Sequence, residues 1–277
     1  ILSAKKPPNI VIMFMDDMGY ADIGAFGAKA YPTPHLDQMA KEGRKFTDFY
    51  VTQAVCSASR AGLLTGCYNV RIGINGALGP KSNIGLNPDE TTIAEICKQK
   101  GYATACFGKW HLTPSWEQSP AGPFDRWPTG LGFERFYGIL GAEASHWEPP
   151  VYDQITPIEP HLGRDDYHLT EDLADQAIDW MARQKASAPD KPFFCYFAPA
   201  AVHAPHHVAP EWIDRFKGQF DDGWDALRER TFERQLATGI IPEGTRLTPR
   251  PDQIPSWDDY PDRYKPVARR LMEVFAG

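Results

Sequence analysis

Short apolar runs rich in β-branched residues alternate, along this sequence, with segments of helical period. Pro8-Asn9-Ile10-Val11-Ile12-Met13-Phe14-Met15 is one such run. It ends at the turn residues Asp16-Asp17-Met18-Gly19 and reads as a strand buried on both faces, as a parallel sheet requires. A helix is expected over 34–42, with Thr33 as its N-cap, Pro34 at the first helical position and Gly43 at its end. A second strand is expected over 46–51. Thr91 opens a helix that runs through Lys100, Gly101 stops it, and a third strand follows over 102–107. Thr170-Glu171-Asp172-Leu173 opens another helix, with Leu173, Ala177, Trp180 and Met181 at helical spacing. Pro189-Asp190-Lys191-Pro192 then leads into a strand over 193–198. This alternation predicts an α/β fold, a mostly parallel central sheet sandwiched by helices.

Two stretches interrupt the pattern. Residues 113–165 are rich in Pro, Gly and Trp without a clear period and read as a long functional excursion. Its Trp116, Trp127 and Trp147 could line a pocket for an aromatic group or could pack the excursion itself. Residues 242–266 carry six prolines, so little regular structure is expected there, and a helix is expected to begin at Pro266. No internal repeat is present.

Charge and composition exclude several classes. Of 277 residues, 29 are Lys or Arg and 36 are Asp or Glu, a formal charge of −7 with no basic run, which argues against a nucleic-acid or anionic-membrane partner. The longest apolar stretch, Ile10 to Met15, is far too short to span a bilayer. A soluble protein is expected, of the cytoplasm or the periplasm. Five scattered cysteines without a C-x-x-C pair make neither a disulfide framework nor a zinc site. The chain opens on Ile1 instead of Met, which reads as the removal of an upstream segment.

In open α/β sheets, ligands bind beyond the carboxyl ends of the strands, so the residues that follow each strand matter most. They are Asp16 and Asp17 after the first, Cys56-Ser57-Ala58-Ser59-Arg60 after the second, Gly108-Lys109-Trp110-His111 after the third, and His203, His206 and His207 after the fourth. Adjacent carboxylates at a strand end suit a hard cation such as Ca²⁺ or Mg²⁺, although an isolated Asp-Asp pair is more often a solvated turn. Cys56 stands at an expected helix start, where free N–H groups and the dipole stabilise anions, and Arg60 is one turn further on. Taken singly, these two are more often a structural cysteine and a surface arginine. Lys109 and His111, two apart on an extended segment, share a face, where the lysine keeps the imidazole's pKa low and offers an anion a second cationic contact, or they form a surface turn. His203 is an acid/base candidate; His206 and His207 read as peripheral.

Together these segments resemble the sulfatase family, in its arylsulfatase branch within the alkaline-phosphatase-like superfamily. The stretch ending in Asp16-Asp17-Met18-Gly19-Tyr20 resembles the family's opening metal-binding segment. Val55-Cys56-Ser57-Ala58-Ser59-Arg60-Ala61-Gly62-Leu63-Leu64-Thr65-Gly66 is similar to its first signature. Gly101-Tyr102-Ala103-Thr104-Ala105-Cys106-Phe107-Gly108-Lys109-Trp110-His111 is similar to its second, and Val202-His203-Ala204-Pro205 to its Pro-His-x-Pro segment.

The resemblance implies a sulfuric ester hydrolase acting on small sulfate esters, with aryl sulfates first among them. It implies that a maturation enzyme converts Cys56 to formylglycine, whose hydrate attacks sulfur. It also implies that Asp16, Asp17 and residue 56 bind a divalent cation, Ca²⁺ or Mg²⁺. His203 then protonates the departing alcohol or phenol, His111 takes a proton from the second hydroxyl of the hydrate, and Arg60 and Lys109 hold the hydrate and the sulfate. Alternatives are hydrolysis of phosphonate or phosphate monoesters, as in relatives with the same Cys-Arg segment, and a non-catalytic module of the same fold. Three departures stand out. Ala58 replaces the usual Pro of Cys-x-Pro-x-Arg, and Val202 replaces the Pro before His203. The Asp-Asn pair and further Lys of the family are absent, for no Asn follows Asn87. Residues 1–277 are therefore expected to be the N-terminal part of one longer catalytic domain, inactive by itself.

Overall fold

The computed structural model describes residues 6–277; the reading placed on Ile1 lies outside them. In chain order the elements are β1 (Ile10–Met13), α1 (Pro34–Glu42), α2 (Cys56–Thr65), α3 (Ile93–Gln99), β2 (Ala103–Lys109), β3 (Arg135–Ile139), β4 (Val151–Asp153), β5 (Thr156–Ile158), α4 (Leu169–Ser187), β6 (Phe193–Ala198), α5 (Pro210–Ile213), α6 (Gly223–Ala237) and α7 (Lys265–Ala276). They fall into two compact units. One takes in residues up to Asp17 together with Tyr50–Pro205; the other takes in Met18–Phe49 and His206–Gly277.

The first unit holds a six-stranded sheet in the order β1-β6-β2-β3-β4-β5. β1, β6, β2 and β3 run parallel, in a register that sets Ile10 beside Phe194, Phe194 beside Thr104, and Phe107 beside Tyr137. β4 and β5 complete one edge as a short antiparallel hairpin. All seven residues of β2 are buried, as expected of a central parallel strand covered on both faces. On one face Cys106, Phe136, Phe194 and Tyr196 pack under Ala58, Ala61 and Leu64 of α2 and Ala94 and Cys97 of α3. On the other, Ala105, Phe107, Tyr137 and Cys195 pack under Leu169, Leu173 and Ala177 of α4. Burying apolar side chains at this scale, at roughly 25 cal/mol per Å², is what holds the layers together.

Local signals hold well where they are chemical. Thr92 caps α3 with its side chain on the Glu95 N–H while Glu95 returns to the Thr92 N–H, a reciprocal pair at the helix start. α1 runs from Pro34 to Glu42 as read, although the Thr33 side chain makes no cap bond. Strand β6 has the expected bounds.

Three expectations are corrected. No strand forms over 46–51, where Phe46, Phe49 and Tyr50 are exposed and no ladder partner is present; an apolar run without a neighbouring strand gains nothing by extending. β1 is an edge strand, with Val11 and Met13 exposed on the face opposite Ile10 and Ile12, so it is not buried on both faces. The stretch 113–165 is not wholly irregular: it contributes the parallel strand β3 and the β4–β5 hairpin. Within it Trp127 is fully buried against Phe124 and Tyr152, whereas Trp116 is exposed. Trp127 thus belongs to the packing.

The second unit is helical, with Phe216, Phe220, Ile240 and Trp257 buried in it. Residues 243–264 form neither helix nor strand, in keeping with the prolines, and α7 follows.

Candidate active site

The site is assembled by three consecutive parallel strands and the start of α2. β1 delivers Asp16 and Asp17. The Asp16 N–H donates to the Ala201 carbonyl at 3.2 Å, and the Val202 N–H donates to the Asp16 carbonyl at 2.9 Å, which ties the end of β1 to the segment after β6 that carries His203. β2 delivers Lys109 as its last residue. The preceding Gly108 has φ +112°, and a Cβ there would lie 2.0 Å from the Ala198 carbonyl oxygen, so only glycine lets β2 approach β6 this closely. Past β2, the Trp110 and His111 N–H groups donate to the Ile139 and Leu140 carbonyls at 2.9 and 3.1 Å. His111 takes a left-handed backbone, φ +55°. It is therefore not an extended residue on the same strand face as Lys109.

At the centre is a buried ionic set. Lys109 Nζ donates to Asp16 Oδ2 at 2.5 Å, and Arg60 Nη2 lies 3.3 Å from Asp16 Oδ1. The side chains of Arg60 and Lys109 are 0% exposed and that of Asp16 is 4% exposed. Arg60 Nη1 also donates to the Lys109 carbonyl at 2.8 Å and to the Tyr196 hydroxyl at 3.3 Å, and its guanidinium lies 5.5 Å from the centre of the Phe14 ring. Burial holds the Tyr196 phenol up at about 12, against the pull of Arg60, so it serves as a neutral partner. Two cations thus share one carboxylate, and Arg60 Nε and Nη2 have no hydrogen-bond partner. Buried, charged N–H donors without acceptors are costly unless a ligand supplies them, and an oxyanion has the matching chemistry.

Cys56 opens α2, one turn before Arg60, and is half-buried. The N-cap residue, Val55, makes no side-chain cap, so the helix start is not closed off by its own cap. His111 is 3% exposed, and its Nε2 is 2.8 Å from the Leu78 carbonyl. Burial lowers its pKa to about 4, and the positive charges of Lys109 and Arg60 act in the same direction against the Leu78 hydrogen bond and Asp16. The ring is neutral at physiological pH.

Asp17 and His203 form a more open pair. Asp17 has φ +58°, so two adjacent aspartates take different partners. Its Oδ2 lies 3.6 Å from His203 Nε2, with side chains 58% and 22% exposed. His203 Nδ1 donates to the Ala204 carbonyl at 2.5 Å, since a carbonyl only accepts, which leaves Nε2 as the nitrogen that can exchange a proton. His206 lies in the second unit, against Phe275.

The structure therefore brings Asp16, Arg60 and Lys109 into direct contact, sets His111 within their field, and pairs Asp17 with His203. Sequence reasoning missed Tyr196, Ser57 and the backbone of Leu78. A tyrosine inside the apolar strand Phe-Phe-Cys-Tyr-Phe-Ala was the available signal, because a buried phenol needs a polar partner.

Both oxygens of Asp16 face Lys109 and Arg60, Asp17 faces His203, and among the described residues no group of three or more His, Cys, Asp or Glu is placed to hold a metal ion. Among the described residues, too, no helix is long and apolar enough to cross a membrane.

Comparison with known proteins agrees with this architecture. The sequence profile of the Sulfatase family matches residues 8–268, and the chain belongs to that family. It is 32% identical to the arylsulfatase of Klebsiella aerogenes, over 99% of this chain and 59% of that protein. It is 38% identical to human arylsulfatase A, over 80% of this chain and 46% of that protein. The chain thus spans about half the length of the curated relatives it matches. Among solved structures, Ps i-CgsB superposes with a TM-score of 0.68 at 26% identity, covering 82% of this chain and 53% of that one. The PsFucS1 sulfatase from Pseudoalteromonas sp. superposes with a TM-score of 0.60 at 22% identity, covering 84% and 51%, a likeness of fold. The fold is alkaline-phosphatase-like. Sulfatases in general use a formylglycine and a divalent cation.

Proposed function

We infer that this protein hydrolyses sulfate esters, with small aryl sulfates as the substrate class and residue 56, once converted from Cys to formylglycine, at the reacting centre. The observation that carries the reading is the buried cationic pocket: Arg60 and Lys109 face one carboxylate, and the Arg60 Nε–H lacks an acceptor. Positive charge fixed in a desolvated place stabilises an oxyanion far more than the same charge does in water. The half-buried position of Cys56 at an uncapped helix start, one turn from Arg60, fits the modified residue.

Formylglycine supplies a hydrated aldehyde with two hydroxyl groups, one to attack sulfur and one to let the sulfate go. The chain's own residues do the rest. Arg60 directs its unpaired Nε–H donor, and Lys109 its charge, to the sulfate oxygens. His203 delivers a proton from Nε2 to the departing oxygen, oriented by Asp17 and by the Ala204 carbonyl. His111, neutral and buried, accepts the proton that must leave residue 56 for sulfate to be expelled. Ca²⁺ and Mg²⁺ are the hard cations that Asp16 and Asp17 suit, and either needs ligands beyond those this chain gathers. The reading places residues 1–277 as the N-terminal part of a single catalytic domain.

The test is co-expression with a formylglycine-generating enzyme, conversion at residue 56 checked by peptide mass, and release of para-nitrophenol from its sulfate ester. Turnover is expected of the full-length protein, and Cys56→Ala is expected to abolish it. A full-length protein converted at residue 56 that turns over no sulfate ester, or that prefers a phosphonate monoester in the same assay, overturns the assignment.

A further inference from the structure

The peptide segment that carries Leu78 links the start of α2 to His111. Ser57 Oγ accepts the Leu78 N–H at 3.1 Å, and the Leu78 carbonyl accepts from His111 Nε2 at 2.8 Å. Ser57 is 0% exposed, Leu78 8% and His111 3%, so bulk water replaces neither bond. A carbonyl oxygen has no proton to give, hence Nε2 carries the hydrogen. In a neutral imidazole the other nitrogen is then a bare lone pair, and His111 Nδ1 is buried without a hydrogen-bond partner.

We propose that Ser57 is a positioning residue for His111: by holding the Leu78 N–H it fixes the Leu78 carbonyl, which keeps His111 in the Nε2–H tautomer and leaves Nδ1 as the atom that accepts a proton. The proton-accepting role rests on the sulfate-ester reading above. The tautomer and its dependence on Ser57 do not. The balance is simple: a proton moves from the free hydroxyl of residue 56 to Nδ1, that oxygen's electron pair forms C=O as the carbon–oxygen bond to sulfate breaks and sulfate leaves, the ring becomes a cation, and a later loss of its proton to solvent restores it. Ser57 touches no reacting atom, and its neighbour Cys56 supplies the chemistry.

The experiment is ¹⁵N NMR of the 277-residue chain labelled on histidine, with the His111 ring signals assigned by their loss in His111→Asn. At neutral pH the native chain is expected to show Nε2 protonated and Nδ1 unprotonated, and Ser57→Ala is expected to show averaged nitrogens as the two tautomers mix. In the matured enzyme the same substitution is expected to lower kcat about tenfold with KM unchanged, the equivalent of one neutral hydrogen bond. An Nδ1–H tautomer in the native chain overturns the proposal, and this readout stands even where the Ser57→Ala chain does not fold. Ring signals in folded Ser57→Ala identical to the native ones overturn it as well. Turnover absent in matured enzyme, with the ring signals as expected, counts against the sulfatase reading alone.

Discussion

Asp16 and Asp17 are neighbours in sequence with unlike surroundings. Asp16, 4% exposed, is held between two side chains that see no solvent, whereas Asp17, 58% exposed, faces His203 across 3.6 Å. The first is one member of a desolvated ionic set in which every charge needs the others, because removing one leaves the remainder buried and uncompensated. The second is an exposed pair whose attraction water screens. One half of the site is thus a desolvated ionic set, and the other a pair open to solvent. Burial, not residue type, separates them.

That contrast can be broken at several points. Asp16→Asn leaves Lys109 and Arg60 buried without a counter-charge and is expected to cost about 3–5 kcal/mol, read as a fall in the urea midpoint. A loss no larger than that of a surface pair would show the set to be solvated. His111 sharpens the contrast through pH. Its pKa falls from 6.5 to about 4 on burial, so the unfolded chain takes up the proton first. The stability contributed by the neutral ring is whole above the ordinary value and is lost as pH falls through that interval, roughly 3 kcal/mol in all. Stability of the native chain should therefore fall more steeply with acid than that of His111→Asn, and parallel profiles would refute the burial argument.

Gly108→Ala tests how Lys109 reaches the buried half. The added Cβ meets the Ala198 carbonyl at 2.0 Å from a positive φ, and a loss of about 2–3 kcal/mol is expected in the same denaturation experiment. The smallest effect is expected at the open pair, where Asp17→Asn should change stability by less than about 1 kcal/mol. A cost there equal to that of Asp16→Asn would erase the distinction between the two aspartates.

Much of the site was legible because its residues stand just beyond strands that are themselves easy to read. The run Phe-Phe-Cys-Tyr-Phe-Ala over β6 is a local signal, and it holds; the helix read from Thr91 forms with its cap one residue later, at Thr92. β3 was not legible, since Arg-Phe-Tyr-Gly-Ile inside a Pro- and Gly-rich stretch becomes a strand only by pairing with β2. The run at 46–51 erred in the opposite direction: it has strand composition and no partner strand. The positive φ of His111 was likewise beyond reach, because it is imposed by bonds to Leu140 and Leu78 from other parts of the chain.

Chemistry and order along the chain, then, were written in the residues: two aspartates after the first strand, a Cys-x-x-x-Arg segment at a helix start, Lys and His two apart, and a fourth segment with His203. Burial and pairing were not. Only the assembled sheet decided that β1 lies at an edge, that Asp16 meets Lys109 and Arg60 while Asp17 meets His203, and that Ser57 and Leu78 hold the ring of His111. The reason is physical. A side chain's identity fixes which bonds it can make, but its dielectric surroundings and its partners come from strands and helices distant in sequence, and they exist only once those elements have packed.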